Sequence, residues 1–247
     1  MGSTAVVIGP ALAVAGALAV ALAAGVALLA HLGTARSAVV AAVRAVLQLA
    51  AVSLLIGAIV GSIPLSAAFV LVMVAVAAWT SARRITSHRS GWWAVLPIAL
   101  APLPVTALLV LGGVVPAKGI SIIPMAGILI GGTMTATSLA GRRALDELAA
   151  RRGEVEAALS LGLLPRDAAM EIARPTAGQS LVPALDQTRT VGLVTLPGAF
   201  VGMLLGGATP VQAGAVQVLV LVLLLGVETV AVAVMLELVS RGRVRPD

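Results

Sequence analysis

Long apolar runs separated by short polar stretches dominate this 247-residue chain. A helix needs about 20 predominantly apolar residues to cross the hydrocarbon core of a bilayer. Segments that meet or approach this length are residues 5–30, 39–60, 66–82, 93–114, 120–140, 181–206 and 211–238. The pattern therefore predicts an all-α polytopic membrane protein with about seven transmembrane helices in one transmembrane domain, residues 1–247.

Composition agrees with this pattern. The chain is 60% hydrophobic and 11% charged, with a mean hydropathy of +1.12, whereas soluble domains carry roughly 25% charged residues. The net charge of +6 does not indicate a nucleic-acid partner, because the arginines form short clusters between apolar runs rather than a basic stripe. With no cysteine in the chain, disulfides, thiolate metal sites and cysteine nucleophiles are excluded. The two histidines, His31 and His88, lie in predicted loops.

The distribution of basic residues predicts the orientation. Alternate loops and the C-terminal tail hold thirteen of the fifteen arginines, and Arg44 and Arg189 lie inside predicted spans, whereas Lys118 alone marks the opposite side. Since cytoplasmic loops are enriched in Lys and Arg, the N-terminus is expected outside and the C-terminus inside. The first segment lacks a positively charged n-region, so we interpret it as a retained helix rather than a cleaved signal peptide. The arginines expected in the cytoplasm are Arg36, Arg83, Arg84, Arg89, Arg142, Arg143, Arg151, Arg152, Arg166, Arg174, Arg241, Arg243 and Arg245.

Residues 141–180 form the one long polar interruption. The strip from Leu145 to Leu159 has the pattern of an amphipathic helix that extends the fifth span. Gly162 is suited to ending a helix and Pro165 to the first turn of the next one. The sequence therefore predicts two short helices joined by a bend, on the cytoplasmic face.

The pattern alone supports two interpretations of this bend equally well. A Glu-Ala-Ala sequence followed by Gly is the form that the ATPase-coupling element takes in bacterial ABC importers, where a rigid helix docks into a groove on the ATPase. An ordinary helix–turn–helix loop explains the pattern as well. The residues assigned to coupling under the first reading are Glu156, Ala157, Leu161, Gly162, Pro165 and Arg166.

Motifs downstream of this bend carry a family resemblance. They are Pro183-x-x-Asp186-x-x-Arg189-Thr190-Val191-Gly192, then Pro197-Gly198, Gly202, Gly206, Pro210, Ala213 and Gln217, with Pro124, Gly127, Gly131 and Met134 upstream and Arg44-Ala45-x-x-Gln48-Leu49 in the second span. Together they resemble the FetB (YbbM) family of ABC permeases, bacterial iron-export subunits related to plant aluminium-tolerance proteins. The resemblance is dense from about Pro124 to Gln217 and thin before that.

The resemblance implies an inner-membrane permease domain that exports a substrate and pairs with a separate ATPase chain, as a homodimer. ATP and magnesium would then be bound by the partner and no cofactor by this chain. The sequence agrees, because a P-loop needs Gly-Lys-[Ser/Thr] and the only lysine, Lys118, follows an alanine. We therefore expect a transport subunit and not an enzyme.

Polar residues inside predicted spans are candidates for a substrate pathway, since ionisable groups are costly at membrane depth. Glu228 lies near the middle of the seventh span without a local basic partner, and we expect it to face the bundle interior. There it would pair with Arg44 or contribute to a cation pathway. The residues assigned to this pathway are Arg44, Gln48, Met134, Gln217 and Glu228.

Other polar and small residues have simpler interpretations. Asp186 with Arg189, and Glu237 with Arg241, are spaced for local ion pairs. Small residues at four-residue spacing favour close helix packing, within the chain or between copies. No metal-ligand set can be named. The positions assigned to the structural motif are Asp186, Arg189, Gly192, Pro197, Gly198 and Gly202.

Two rival functions stay open at this point. A secondary transporter driven by an ion gradient would need its own coupling site, for which Glu228 and Arg44 are the available residues. A membrane scaffold or an intramembrane enzyme is the other alternative, but the sequence contains no HExxH or GxSxG motif.

Overall fold

A computed structural model describes residues 9–247, so residues 5–8 of the first predicted span lie outside the described part. The described residues are helical apart from turns and one isolated bridge between Val191 and Thr195. The all-α polytopic prediction is thus confirmed. The helices are α1 (Pro10–Leu29), α2 (Ala35–Val60), α3 (Ile63–Ile85), α4 (Val95–Leu100), α5 (Pro102–Leu111), α6 (Gly119–Ala150), α7 (Arg152–Ser160), α8 (Pro165–Gly178), α9 (Val182–Thr190), α10 (Gly198–Leu205) and α11 (Pro210–Ser240), with short 3-10 helices at Arg89–Ala94 and Gln179–Leu181.

Six segments of the described chain are long and apolar enough to cross a membrane. Five are the single helices α1, α2, α3, α6 and α11. The sixth, Arg89–Leu111, combines a 3-10 turn with α4 and α5. Here the break falls at Ala101, where Pro102 lacks the N–H that a continuous helix would need.

The predicted span 181–206 is the one that the structure corrects, because it is not a continuous helix. Helix α9 ends at Thr190 and α10 begins at Gly198. Gly192, with φ +84°, adopts a left-handed conformation that most residues avoid, and Pro197 disfavours a helical Leu196 before it. Neither half reaches the length of a membrane span.

The chain divides into two compact units, the first ending at Ile59 and the second formed by Val60–Asp247. In the first unit, α1 and most of α2 are apolar and largely exposed. The turn between them contains His31 and Gly33 with φ of +50° and +69°. His31 is therefore a turn residue, as the sequence predicts.

The core of the second unit is built around α6. Gly127 of α6 lies against Met73 of α3, and Gly141 lies against Ile85, so α3 and α6 run in the same direction. On another side, α6 and α11 share two buried clusters. One contains Leu129 and Leu224, and the other contains Leu145 and Val239, which lie later in both helices. Helices α3, α6 and α11 are therefore parallel to one another.

Both halves of the interrupted segment, α9 and α10, contact α11. Leu181 packs against the buried cluster that includes Val239 near the end of α11. At the other end, a turn at Gly206–Thr209 joins α10 to the start of α11. Although α9 and α10 are separate, together they return the chain from one end of α11 to the other, as a crossing segment would.

Candidate functional site

The bend at Gly162 and the helix that starts at Pro165 are present as predicted, but the predicted helix Leu145–Leu159 is divided between the end of α6 and α7. Helix α6 stops at Ala150, where Arg151 takes a non-helical conformation. The Arg151 guanidinium donates hydrogen bonds to Glu154 on α7 and, at 3.2 Å, to Glu147 on α6. These bonds raise the pKa of Arg151, and its guanidinium lowers the pKa of Glu154. Arg151 thus fixes the joint between α6 and α7.

The bend itself is a glycine-ended helix terminus. Gly162 has φ +90°, and its N–H donates to the carbonyl of Leu159 at 2.9 Å, while the N–H of Leu163 donates to Ala158 at 3.2 Å. Pro165 then occupies the first turn of α8. The bend exposes apolar side chains, of which Leu161 is 82% exposed. The exposed leucines are Leu159, Leu161, Leu163 and Leu164, which we call the leucine turn.

The residues assigned to coupling fall at or near this turn, but they do different things. Glu156 accepts a hydrogen bond from Arg152 within α7 at 3.0 Å, and Ala157 is exposed beside it. Leu161, Gly162 and Pro165 form the bend. Arg166 points away from it, toward the end of α11.

Helix α8 is not a peripheral loop element. It packs between α6 and α11, and it buries the residues Ala168, Ala169, Met170, Ile172, Ala173 and Ala177. Since α6 and α11 form the core, the polar segment predicted from sequence is built into the bundle. Only α7 and the leucine turn project from it.

A cluster of charges joins the start of α8 to the end of α11. The guanidinium of Arg166 donates from Nε and Nη2 to the two carboxylate oxygens of Glu237, at 2.8 and 2.7 Å. It also donates to Asp167 at 2.8 Å, and Arg241 donates to Glu237 at 2.5 Å. The Glu237–Arg241 pair is the one expected from its spacing. The longer link to Arg166, which raises the pKa of Arg166, was not predicted, because 71 residues separate the partners.

The second candidate site is the buried carboxylate of Glu228. Glu228 is 7% exposed, so its side chain faces the interior, as predicted. It lies against Gly132 of α6, where a Cβ would overlap its Oε1 and the side chain of Leu224. No ion pair found in residues 9–247 includes Glu228.

Gln217 lies on the same face of α11. Eleven residues separate it from Glu228, which is about three helical turns or roughly 16 Å. Gln217 is 5% exposed, and its Oε1 has no hydrogen-bond partner within the described residues. A buried amide oxygen without a partner is costly, so this face of α11 carries one unsatisfied amide oxygen, at Gln217, in addition to the buried carboxylate of Glu228.

The other residues assigned to the pathway are more dispersed. Arg44 and Gln48 are exposed on one face of α2, in the first unit, and pairing of Arg44 with Glu228 stays a prediction. Met134 is partly buried against the cluster of α3 and α4 that includes Ile98. Its carbonyl accepts hydrogen bonds from Ser81 and Ser138 at 3.1 and 2.7 Å.

The assigned motif residues define the interruption between α9 and α10. Asp186 and Arg189 approach to 4.0 Å on the exposed surface of α9, where such a pair contributes little. Gly192 donates its N–H to Thr195 at 2.8 Å and closes a tight loop. Pro197 and Gly198 start α10, and Gly202 lies exposed in its middle.

No metal centre is visible in the part of the chain that the structure describes. That part holds no group of three or more histidine, cysteine or acidic side chains with which to bind a metal ion. Within residues 9–247, Glu228 thus belongs to no group of this kind.

A further contact network at the end of the chain was missed by the sequence analysis. Asp247 Oδ1 accepts hydrogen bonds from the Thr86 hydroxyl at 2.7 Å, from the Ser87 hydroxyl at 2.7 Å and from the Ser87 N–H at 2.5 Å. These bonds lower the pKa of Asp247 to about 2. Arg243 stacks over the ring of Trp93 at 5.6 Å, so the tail after α11 is held against the turn between α3 and α4.

Comparison with known proteins identifies the family. The model of the family described as "Uncharacterised protein family (UPF0014)" matches residues 11–243. The chain belongs to this family. No solved structure matches.

Three relatives illustrate the identity and the coverage of these similarities. "UPF0014 membrane protein STAR2" of Oryza sativa subsp. japonica is 38% identical over 67% of the chain and 60% of its own length. "Protein ALUMINUM SENSITIVE 3" of Arabidopsis thaliana is 38% identical over 65% of the chain and 59% of its own length. "Probable iron export permease protein FetB" of Escherichia coli (strain K12) is 33% identical over 48% of the chain and 46% of its own length. The chain thus spans about 60% of the length of the plant relatives, and it is a multi-pass membrane protein of the UPF0014 family.

Proposed function

We propose that this chain is the inner-membrane subunit of an ABC exporter, driven by a separate P-loop ATPase that binds α7 and the leucine turn. The observation that carries the proposal is the contrast between the two parts of this segment. The turn exposes four leucines outside the candidate spans, whereas α8 is buried against α6 and α11. Exposed apolar clusters of this kind mark interaction surfaces, and the turn is connected to the membrane core.

The partner is an ATPase for reasons of sequence and similarity. These 247 residues contain no P-loop, and in the proposal ATP hydrolysis is supplied by another chain. One relative is named an iron export permease, and by this similarity the proposed cargo is a metal ion, with iron as the first candidate. We also propose two copies of the chain in the complex, as the resemblance implies.

The cargo pathway of the proposal includes the interior face of α11. Glu228 supplies a carboxylate and Gln217 an amide oxygen on this face, and oxygen donors suit hard metal ions. Because no larger ligand group accompanies Glu228 in the described residues, the proposal is passage of the cation and not its storage.

The experiment is co-purification of the chain with its ATPase, followed by transport in proteoliposomes. Leu161→Glu places a charge on the leucine turn, and we expect it to remove the ATPase from the complex. Leu32→Glu is the matched control, because Leu32 is an exposed loop leucine in the α1–α2 turn, and it should leave the complex intact. Equal retention of the ATPase by both variants would contradict the docking site.

The alternative function, a secondary transporter that uses Glu228 and Arg44, is favoured by one observation, the buried carboxylate of Glu228, which has no ion-pair partner among residues 9–247. The same proteoliposomes separate the two functions. Cargo movement by the chain alone, driven by an ion gradient and without ATP, would support the alternative and overturn the ABC proposal.

A further inference from the structure

The leucine turn and the core of the bundle are connected through α8. Helix α7 has its main contacts with α8 and with the end of α6. Helix α8 in turn packs against α6 and α11. A partner that moves the leucine turn therefore acts on the membrane helices through α8 and through the joint between α6 and α7.

The apolar surface of α8 is poorly suited to holding α11 in a fixed register. Four of its six buried residues are alanines, namely Ala168, Ala169, Ala173 and Ala177. Alanines let helices approach closely, but their methyl groups interlock less than the large side chains that form ridges and grooves. This face therefore offers few interlocking side chains, and Met170 and Ile172 are its two larger buried residues.

The Arg166–Glu237 contact adds a directional constraint between α8 and α11. Both carboxylate oxygens of Glu237 accept from the Arg166 guanidinium, and this two-point geometry fixes orientation as well as distance. Among the described residues, this is the only ion pair that links the α7–α8 segment to α11. Asp167 also accepts a hydrogen bond from Arg166, and Arg241 donates one to Glu237.

We propose that Arg166 and Glu237 are positioning residues that make α8 and α11 move together, so that displacement of the leucine turn reaches the interior face of α11. The inference rests on the proposed function. Glu237 and Glu228 belong to one continuous helix and are nine residues apart, roughly 13 Å along its axis. A displacement taken up at Glu237 is therefore carried to the buried carboxylate without passing through a loop.

The first test does not depend on transport. The chain has no cysteine, so Ser160→Cys on α7 and Ala233→Cys on α11 accept one spin label each at exposed positions. We expect a narrow distance distribution in the parent protein and a broader or shifted one in Arg166→Ala. Arg152→Ala is the control, because Arg152 pairs with Glu156 inside α7, and it should leave the distances unchanged. Unchanged distances in Arg166→Ala would overturn the link.

The second test uses the complex with the ATPase in proteoliposomes. Arg166→Ala and Glu237→Gln should still bind the ATPase and hydrolyse ATP, but should move roughly tenfold less cargo per ATP, as expected when coupled sites are disconnected. Arg166→Lys keeps the charge and loses the two-point geometry, so its loss should be smaller. Full cargo movement per ATP in Arg166→Ala would overturn the proposal.

Failure of the proposed function has a different signature. In that case the parent chain itself would neither bind an ATPase nor transport with ATP. The spin-label distances would then decide by themselves whether Arg166 and Glu237 hold α8 to α11.

Discussion

The carboxylate of Glu228 on α11 lies against the bare Cα of Gly132 on α6. Glycine allows the two helices to approach where a side chain would collide with this carboxylate and with Leu224. The contact places the buried acid at the junction of two parallel helices, and it makes the position of the acid sensitive to the smallest change in α6.

Gly132→Ala tests this contact. The added methyl group overlaps Glu228 and Leu224, so we expect a loss of stability of about 1–3 kcal/mol, typical of overpacking, measured as a lower melting temperature in detergent. Gly131→Ala is the control, since a Cβ at Gly131 meets nothing within 4 Å. Equal melting temperatures for the two variants would show that the contact is not tight.

Glu228→Gln tests the role of the buried carboxylate in transport. The substitution keeps the shape and removes the charge, so we expect assembly with the ATPase to be retained and cation transport to be lost. Asp146→Asn is the control, because Asp146 is an exposed carboxylate at the end of α6. Unchanged transport in an assembled Glu228→Gln protein would remove Glu228 from the pathway.

Gly192→Ala tests the interruption between α9 and α10. With φ at +84°, an alanine there is strained by about 1–2 kcal/mol, and the melting temperature should fall. Gly202→Ala in the middle of α10 meets no neighbouring atom and should be neutral or stabilising, because alanine favours a helix over glycine. If Gly192→Ala is as stable as Gly202→Ala, the loop does not hold the conformation described.

Asp247 makes the tail contact sensitive to acid. The pKa of Asp247 falls from 3.8 to about 2 in the folded protein. The ionised carboxylate therefore stabilises the fold at pH values above the pKa that Asp247 has in the unfolded chain. This contribution is lost as the pH falls from about 4 through 2. Asp247→Asn should produce the same loosening at neutral pH, measured as faster hydrogen exchange of the Ser87 and His88 amides. Exchange rates equal to those of the parent would contradict the contact.

The orientation relative to the membrane is a prediction that labelling can decide. In a chain without cysteines, Ser160→Cys should react with an impermeant maleimide only from the cytoplasmic side, and Lys118→Cys only from outside. Reaction of Ser160→Cys from outside would place the leucine turn beyond the reach of a cytoplasmic ATPase and would end the ABC proposal.

Hydropathy predicted most of the fold, because a helix that spans a bilayer must be long and apolar whatever it packs against. It failed at residues 181–206, where the composition is apolar but the backbone is broken at Gly192 and Pro197. Both residues are common helix breakers, but they were assigned to a motif on a continuous helix. The signal for the break was therefore present in the sequence.

Residues in the candidate sites were predictable only where the constraint is local. Gly162 and Pro165 mark the bend because each acts on its own backbone. The unfavourable position of Glu228 also shows in sequence, since a charge in an apolar run is rare. The partners Gly132 of Glu228, Glu237 of Arg166 and Thr86 of Asp247 come from distant parts of the chain, and no local pattern encodes such pairs.

The parallel course of α3, α6 and α11 brings three helix C-termini to the same end of the second unit. Each terminus carries partial negative charge from its unpaired carbonyl groups, which favours nearby cations. Arg83 and Arg84 lie in the last turn of α3, Arg151 follows α6 and Arg241 follows α11, and Arg142 donates to the carbonyl of Arg84 at 3.1 Å. The arginines that would orient the chain in the membrane therefore lie at the ends of its three central helices, where positive charge is favourable, so one set of charges would serve both insertion and folding.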